Sequence, residues 1–246
     1  MERRTSVGGF IWHWRNSEVK LTQAQVCEIL GWDTFHLSDL ERDKVRPKKE
    51  ELELLFGLLQ LTHEAVGQGY FLAGIAPTEA ELSYWVNHTE TFLDAFDMPV
   101  MLRDFTGKLL NVNSAANRTF PFAKNVRAQR PQWLEVLFDK SLREIPGWDE
   151  QLQKHIAIFV ADTPFDARED WYRELLKRMY KNPQFPPFWV QANDDAEYDQ
   201  PILDGYREVT MPTIIEEGVE LTDFTRLSRP ASDIRFRIDV FVPKAA

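Results

Sequence analysis

The chain has 246 residues, 43% of them hydrophobic and 28% charged, with a net charge of −10. That length makes one or two domains and buries about 70–75% of the unfolded surface, so neither disulfide nor metal is needed to hold a core. Eight Trp, 17 Phe and six Tyr exclude a disordered chain, and a single cysteine, Cys27, excludes intramolecular disulfides and Cys-based zinc sites.

No stretch approaches the ~18 apolar residues of a membrane span. Met1-Glu2-Arg3-Arg4 leads into no signal-peptide core, so the expectation is a soluble cytoplasmic protein with no membrane partner. The acidic balance argues against nucleic acid. Residues 1–75, however, hold nine Lys/Arg against eleven Asp/Glu, so −8 of the −10 lies beyond them.

In chain order, Phe10 to Asn16 is a short amphipathic run. Leu21 to Gly31 reads as a helix with Thr22 as N-cap and Gly31 as its stop. Asp33 or Thr34 caps a third helix to about Arg42, with Phe35, Leu37 and Leu40 as its apolar positions. Pro47 breaks the chain. Lys48 to Leu59 turns Leu52, Leu55, Phe56 and Leu59 inward, and a fifth helix runs from Thr62 or His63 to near Gly74.

Ala76-Pro77 marks the domain boundary. The helix after it carries Leu82, Trp85, Thr89, Phe92 and Phe96 at alternating spacings of about four and three, a short heptad seam. It either packs on its own domain or serves as a dimer-forming connector.

From Met98 the texture is mixed. Pro99–Asp104 and Lys108–Val112 read as strands joined at Thr106-Gly107, and Asn113 caps the helix that follows. Helical stretches cover Trp133–Phe138, Trp148–Phe159 and Asp170–Tyr180. Strands are expected at Tyr206–Met211, Thr213–Asp223 and Asp233–Val242. In the last, Ile234, Phe236, Ile238, Val240 and Val242 make a buried face, and Arg235, Arg237, Asp239 and Phe241 a mostly polar one. The order predicts an α+β domain with one antiparallel sheet.

Leu21 to Arg46 has helix-turn-helix spacing, in which the second helix enters a DNA major groove. With L-T-Q-x-x-V-x-x-I-L-G-W, L-S-x-L-E-R and the following R-P, the first 65 or so residues resemble the XRE/Cro-type repressor family. The resemblance implies that Gln23 contacts a phosphate or braces the recognition helix. It also implies that Thr34, Phe35, His36, Ser38 and Asp39 face the groove, with Phe35 suited to a thymine methyl. Arg42, Lys44, Arg46, Lys48 and Lys49 form the dense basic cluster and would meet phosphates. The recognition helix has no Lys or Arg before Arg42, and Asp43 stands where that family commonly has Gly.

The rest of the chain resembles the MmyB-like regulators, which join an XRE head to a PAS-like ligand-binding domain. The markers are Pro99, the N-x-A-A start at Asn113–Ala116, Trp133 to Phe138, Trp148-Asp149, Ile156 to Phe159, and Asn182 to Trp189. A family His-Pro followed by Gly is reduced here to Gln200-Pro201 and Gly205. The expected organisation is an all-α helix-turn-helix head over 1–75, a connector helix over 76–97, and a PAS-like α+β domain with an antiparallel sheet over 98–246.

The histidines are scattered and the familiar nucleophile, phosphate-loop and zinc motifs are lacking, so no catalysis, metal or cofactor is expected. The acidic pairs Asp194-Asp195 and Glu216-Glu217 sit in turn-like stretches. Aromatic density instead points to an apolar pocket. Its expected lining is Met101, Phe120, Phe122, Trp133, Leu137, Phe138, Phe159, Phe188, Trp189 and Phe236. A long-chain fatty acid is the first ligand expected, with Arg103, Arg143 or Arg237 to meet its carboxylate. The expected function is a ligand-responsive transcription regulator that binds operator DNA as a homodimer, ligand altering how the sensor packs on the connector helix. The alternative is a protein-interaction module whose head no longer binds DNA; an enzyme ranks last, because no nucleophile–base pair can be assembled.

Overall fold

The computed structural model describes residues 6–162, 170–194, 206–216 and 218–244. Gln200-Pro201, Gly205, Asp195 and Glu217 lie outside the described residues. The chain divides into two compact units, residues 1–76 with 232–235, and residues 77–231 with 236–246. No helix among the described residues is long and apolar enough to cross a membrane.

The first unit is all helical: α1 (Val7–His13), a π turn (Trp14–Glu18), α2 (Gln23–Leu30), α3 (Thr34–Glu41), α4 (Lys49–Leu58) and α5 (His63–Leu72). Local chemistry sets the boundaries. Thr22 accepts from the Gln25 amide and Gln25 Oε1 accepts from the Thr22 amide, a capping box at the start of α2. Gly31 ends α2 at φ 68°, a left-handed conformation that suits glycine. Asp33 caps α3 by accepting from the Phe35 amide at 2.8 Å.

Ile11, Val26, Leu37, Leu52, Leu55 and Phe56 form the core of this unit. Asp43 has φ 56°. Its carboxylate accepts from Ser6 Oγ at 2.6 Å and the Gly8 amide at 2.8 Å, tying α1 to the end of α3. Side-chain hydrogen bonds thus compensate a backbone conformation that costs any residue with a Cβ.

The second unit opens with α6 (Glu79–Asp94). A five-stranded antiparallel sheet follows, built from β1 (Val100–Asp104), β2 (Leu109–Val112), β3 (Tyr206–Ile215), β4 (Gly218–Pro230) and β5 (Phe236–Pro243) in the order β2-β1-β5-β4-β3. Between β2 and β3 lie α7 (Ser114–Thr119), α8 (Val126–Gln129), α9 (Trp133–Val136), α10 (Lys140–Arg143), α11 (Trp148–Asp162), α12 (Asp170–Met179) and α13 (Phe185–Asp194). The architecture is an all-α head followed by an α+β PAS-like domain.

Both faces of the sheet are covered. On one, Val100, Leu102, Leu110 and Phe236 pack with Leu82, Val86 and Leu93 of α6. On the other, Met101, Leu109, Val209, Met211, Phe224 and Phe241 meet the helices between β2 and β3. Buried Asn113 links the two elements that precede it to α7. Its Oδ1 accepts from the Val100 and Ala116 amides, and its Nδ2 donates to the carbonyls of Phe96 and Met98.

Four expectations change. The buried stripe of α6 is Leu82, Val86, Thr89 and Leu93, and Phe92 is 49% exposed, because the helix turns toward the sheet rather than toward a heptad seam. Pro212 does not divide a strand: it sits within β3, an edge strand, where a missing N–H removes no ladder bond from a central pair. β4 extends through Phe224 and Arg226 to Pro230. β5 begins at Phe236, and Asp233 and Arg235 form a buried ion pair at 2.7 Å in the turn before it, with the Arg235 guanidinium 4.8 Å from the Tyr70 ring.

Candidate ligand cavity and candidate nucleic-acid interface

Strand parity builds the cavity of the second unit. Side chains alternate between faces along a strand, so Met101 and Arg103 of β1 share the face that bears Asp239 and Phe241 of β5. Register confirms it: Met101 lies opposite Asp239, and Phe241 opposite Arg226 of β4. The walls are Met101, Leu109, Val209, Met211 and Phe241 from the sheet, and Trp133, Ile158 and Phe159 from the helices. Gly107 closes one end at φ +87°, where an added Cβ would stand 3.1 Å from the Phe159 ring. The enclosed volume is about 20 Å³, room for about one water.

Four polar side chains share this apolar space: Arg103, His155, Arg226 and Asp239. All are buried. Arg103 Nε donates to Asp239 Oδ2 at 2.6 Å. Burial pushes the Asp239 carboxyl up, but the Arg103 and Arg226 guanidiniums outweigh it and hold the group below the ordinary carboxylate range. His155 Nε2 lies 2.9 Å from the Thr210 carbonyl, which can only accept, so Nε2 carries the proton. Burial, reinforced by Arg226 and Lys154, lowers the His155 pKa to about 4 despite that hydrogen bond, and the ring is neutral at pH 7.

Of the ten lining residues expected from sequence, Met101, Trp133 and Phe159 line the cavity. Phe120 is fully buried behind it, edge-on to Phe241 at 5.3 Å and stacked on Phe122, which in turn meets Trp133 at 5.4 Å. Leu137 is core, its carbonyl accepting from the Trp148 indole at 3.1 Å. Phe138 and Trp189 pack on Phe185, and Phe188 on Phe138, in an aromatic layer that meets the cavity wall where Trp189 tilts against Phe159 at 6.4 Å.

Phe236 belongs to the opposite face of the sheet, stacked on Trp85 at 4.8 Å, because the parity expected for β5 is reversed with respect to the cavity. Of the arginines, Arg103 lines the cavity. Arg143 pairs with Asp149 at 2.9 Å and covers Phe138 and Phe188, and Arg237 reaches Ser228. His155, Arg226 and Asp239 were not expected. The signal for Asp239 lay in the sequence: the polar face of β5 is the one that shares parity with Met101.

In the first unit, Thr34 and Phe35 stand exposed at the start of α3, Phe35 at 77%. Gln23 Nε2 donates to Glu41 Oε2 at 2.7 Å, so this side chain braces α3. Glu41 is itself buried against Arg15, whose Nη2 lies 3.0 Å from Oε2. His36 contacts Glu51 of α4 at 2.8 Å. Arg42 folds back onto Ser38, its Nε 3.1 Å from the Ser38 carbonyl. Lys44 lies 3.5 Å from Asp39. Arg46 is a structural tie, donating to the Ala73 carbonyl at 2.7 Å. The exposed pair at the start of α3 is therefore Thr34 and Phe35, while the Arg42 and Lys44 heads lie toward its other end, against Ser38 and Asp39.

The chain matches no curated protein sequence. Residues 87–233, more than half of it, match the model of the MmyB-like transcription regulator ligand binding domain. The matched span holds β1 to β4 and the helices that wall the cavity. The chain belongs to the MmyB-like transcription regulator ligand-binding family.

Proposed function

We propose that this protein is a ligand-responsive transcription regulator of the XRE type. In this account the helical head binds operator DNA as a homodimer, the sheet cavity takes an apolar ligand, and the chain is no enzyme. One observation carries it. The same chain joins a ligand-binding domain of transcription regulators to a helix pair, α2 and α3, whose second member presents Phe35 almost fully exposed. Its place at the start of the second helix of the pair is what counts, since a side chain there can reach a thymine methyl in a major groove. Twofold symmetry would place two such helices one DNA turn apart.

A long-chain apolar molecule is the ligand class to try, with the fatty acid expected from the sequence and its neutral-headed analogues as the members to compare, since Met101, Leu109, Trp133, Ile158, Phe159 and Met211 offer apolar contact. Each CH₂ buried contributes about 0.8 kcal/mol. The cavity of about 20 Å³ cannot hold a 14-carbon tail as it stands. Entry of such a tail requires the flexible Met101 and Met211 side chains to yield.

The strands bearing Arg226 and Asp239 are joined through residues 232–235, which belong to the first unit. The covalent path from cavity to head is therefore short. Typical coupling between two such sites is 1–3 kcal/mol.

Fluorescence anisotropy with duplex DNA from the region upstream of the protein's own coding sequence tests the DNA claim. Phe35→Ala is expected to weaken binding by about ten-fold while moving the melting temperature by no more than an exposed-site change does. A large loss of melting temperature with unchanged DNA affinity would contradict it.

A further inference from the structure

The ligand cavity carries a polar anchor whose chemistry specifies the ligand's head group. His155 and Asp239, each 3% exposed, both border it. The Thr210 carbonyl fixes the proton of His155 on Nε2, which leaves Nδ1 as a bare lone pair, and Nδ1 has no hydrogen-bond partner in the fold. Asp239 uses Oδ2 for Arg103, and its Oδ1 likewise has none. A buried acceptor without a donor carries a desolvation cost that a bound donor relieves.

We propose that His155 Nδ1, with Asp239 Oδ1 beside the same cavity, selects an apolar ligand whose neutral head donates a hydrogen bond, such as an alcohol or a primary amide. This inference rests on the cavity being the ligand site and deepens that assignment. A hydroxyl suits the four polar groups together: its proton goes to His155, and its oxygen accepts from a guanidinium. An ionised carboxylate can pair with the one guanidinium charge that Asp239 leaves over, but it offers no proton to His155 Nδ1 or Asp239 Oδ1 and leaves both acceptors bare. The ring stays in the accepting form because burial holds its pKa near 4. A site built around a hydrogen bond rejects the analogue that lacks it more strongly than a purely apolar pocket rejects a change of length.

Isothermal titration of the full chain at about pH 7.5 with 1-octanol, methyl octyl ether and octanoate tests this. The alcohol and the ether differ by the one donor, and the alcohol is expected to bind about ten-fold tighter than the ether, and tighter than octanoate. His155→Phe is expected to bring the alcohol down to the ether's affinity. Equal binding of alcohol and ether by the wild type overturns the anchor and leaves the cavity assignment standing. Absence of binding by all the probes overturns both. A variant that keeps the preference removes His155 from the anchor. The wild-type comparison decides even where the variant fails to fold.

Discussion

Arg103→Met is expected to destabilise the second unit by roughly 3–5 kcal/mol, the usual cost of removing one partner from a buried ion pair. Asp239 is almost inaccessible, and Arg103 Nε is the 2.6 Å donor to its Oδ2. Without that guanidinium, Arg226 alone balances the carboxylate from within the cavity. For a unit of this size the melting temperature should fall by roughly 6–20 °C. The double change Arg103→Met with Asp239→Leu removes that ion pair but takes from the buried Arg226 the same carboxylate, so only part of the loss should be recovered. Thermal unfolding of the three variants measures this. A single-variant loss below ~1 kcal/mol would mean that water reaches Asp239.

The second large effect is a pH dependence centred on His155. The unfolded chain binds this proton below about 6.5, whereas the native ring binds it only below about 4. Between those values the unfolded state holds more protons, so stability falls as pH is lowered through the window and is fully present above it. The shift corresponds to on the order of 3 kcal/mol.

Asp104 works in the opposite direction. Burial raises its carboxyl to about 6 against hydrogen bonds from Thr106 and Lys108, so the native state takes that proton first and gains stability as pH falls toward 4. The informative quantity is therefore the difference between wild type and His155→Gln, which can still donate to the Thr210 carbonyl. Denaturant titrations at pH 7 and about 4.5 should show a larger loss for the wild type. Parallel losses would mean that His155 is not desolvated.

Much of this fold is legible in the sequence because its boundaries are local chemistry. Thr22, Gly31, Asp33, Thr62 and Asn113 mark helix ends by residue type, and each sits at the end so marked. What escapes is decided by tertiary context. No helix was expected over Phe185–Asp194, yet Pro186 and Pro187 fit the first turn of α13, where no intrahelical N–H is needed. Pro212 reads as a strand end and is absorbed by an edge strand.

The cavity was legible only in part for a related reason. Counting aromatics finds the core of the second unit, but not which face of the sheet a strand residue occupies. Choosing Met101 and Phe236 together crosses the sheet, because β1 and β5 pair with Met101 opposite Asp239. The alternation that marked Arg237 and Asp239 as a polar face is real. The assumption that polar means outward fails where the Arg103 and Arg226 guanidiniums hold the Asp239 carboxylate inside. Similarly, the apolar spacing of α6 was visible, but what covers it was not until β1 and β2 were in place.

The most direct measurement is the affinity of the full chain for labelled upstream duplex, titrated by anisotropy at low and moderate salt, with and without saturating 1-octanol. The expected result is saturable binding that weakens as salt rises, with an affinity that moves by roughly 5–150-fold when the alcohol is present. Binding that never saturates at low ionic strength, or an affinity indifferent to a filled cavity, would contradict a head governed by the sheet beneath which Arg103 and Asp239 pair.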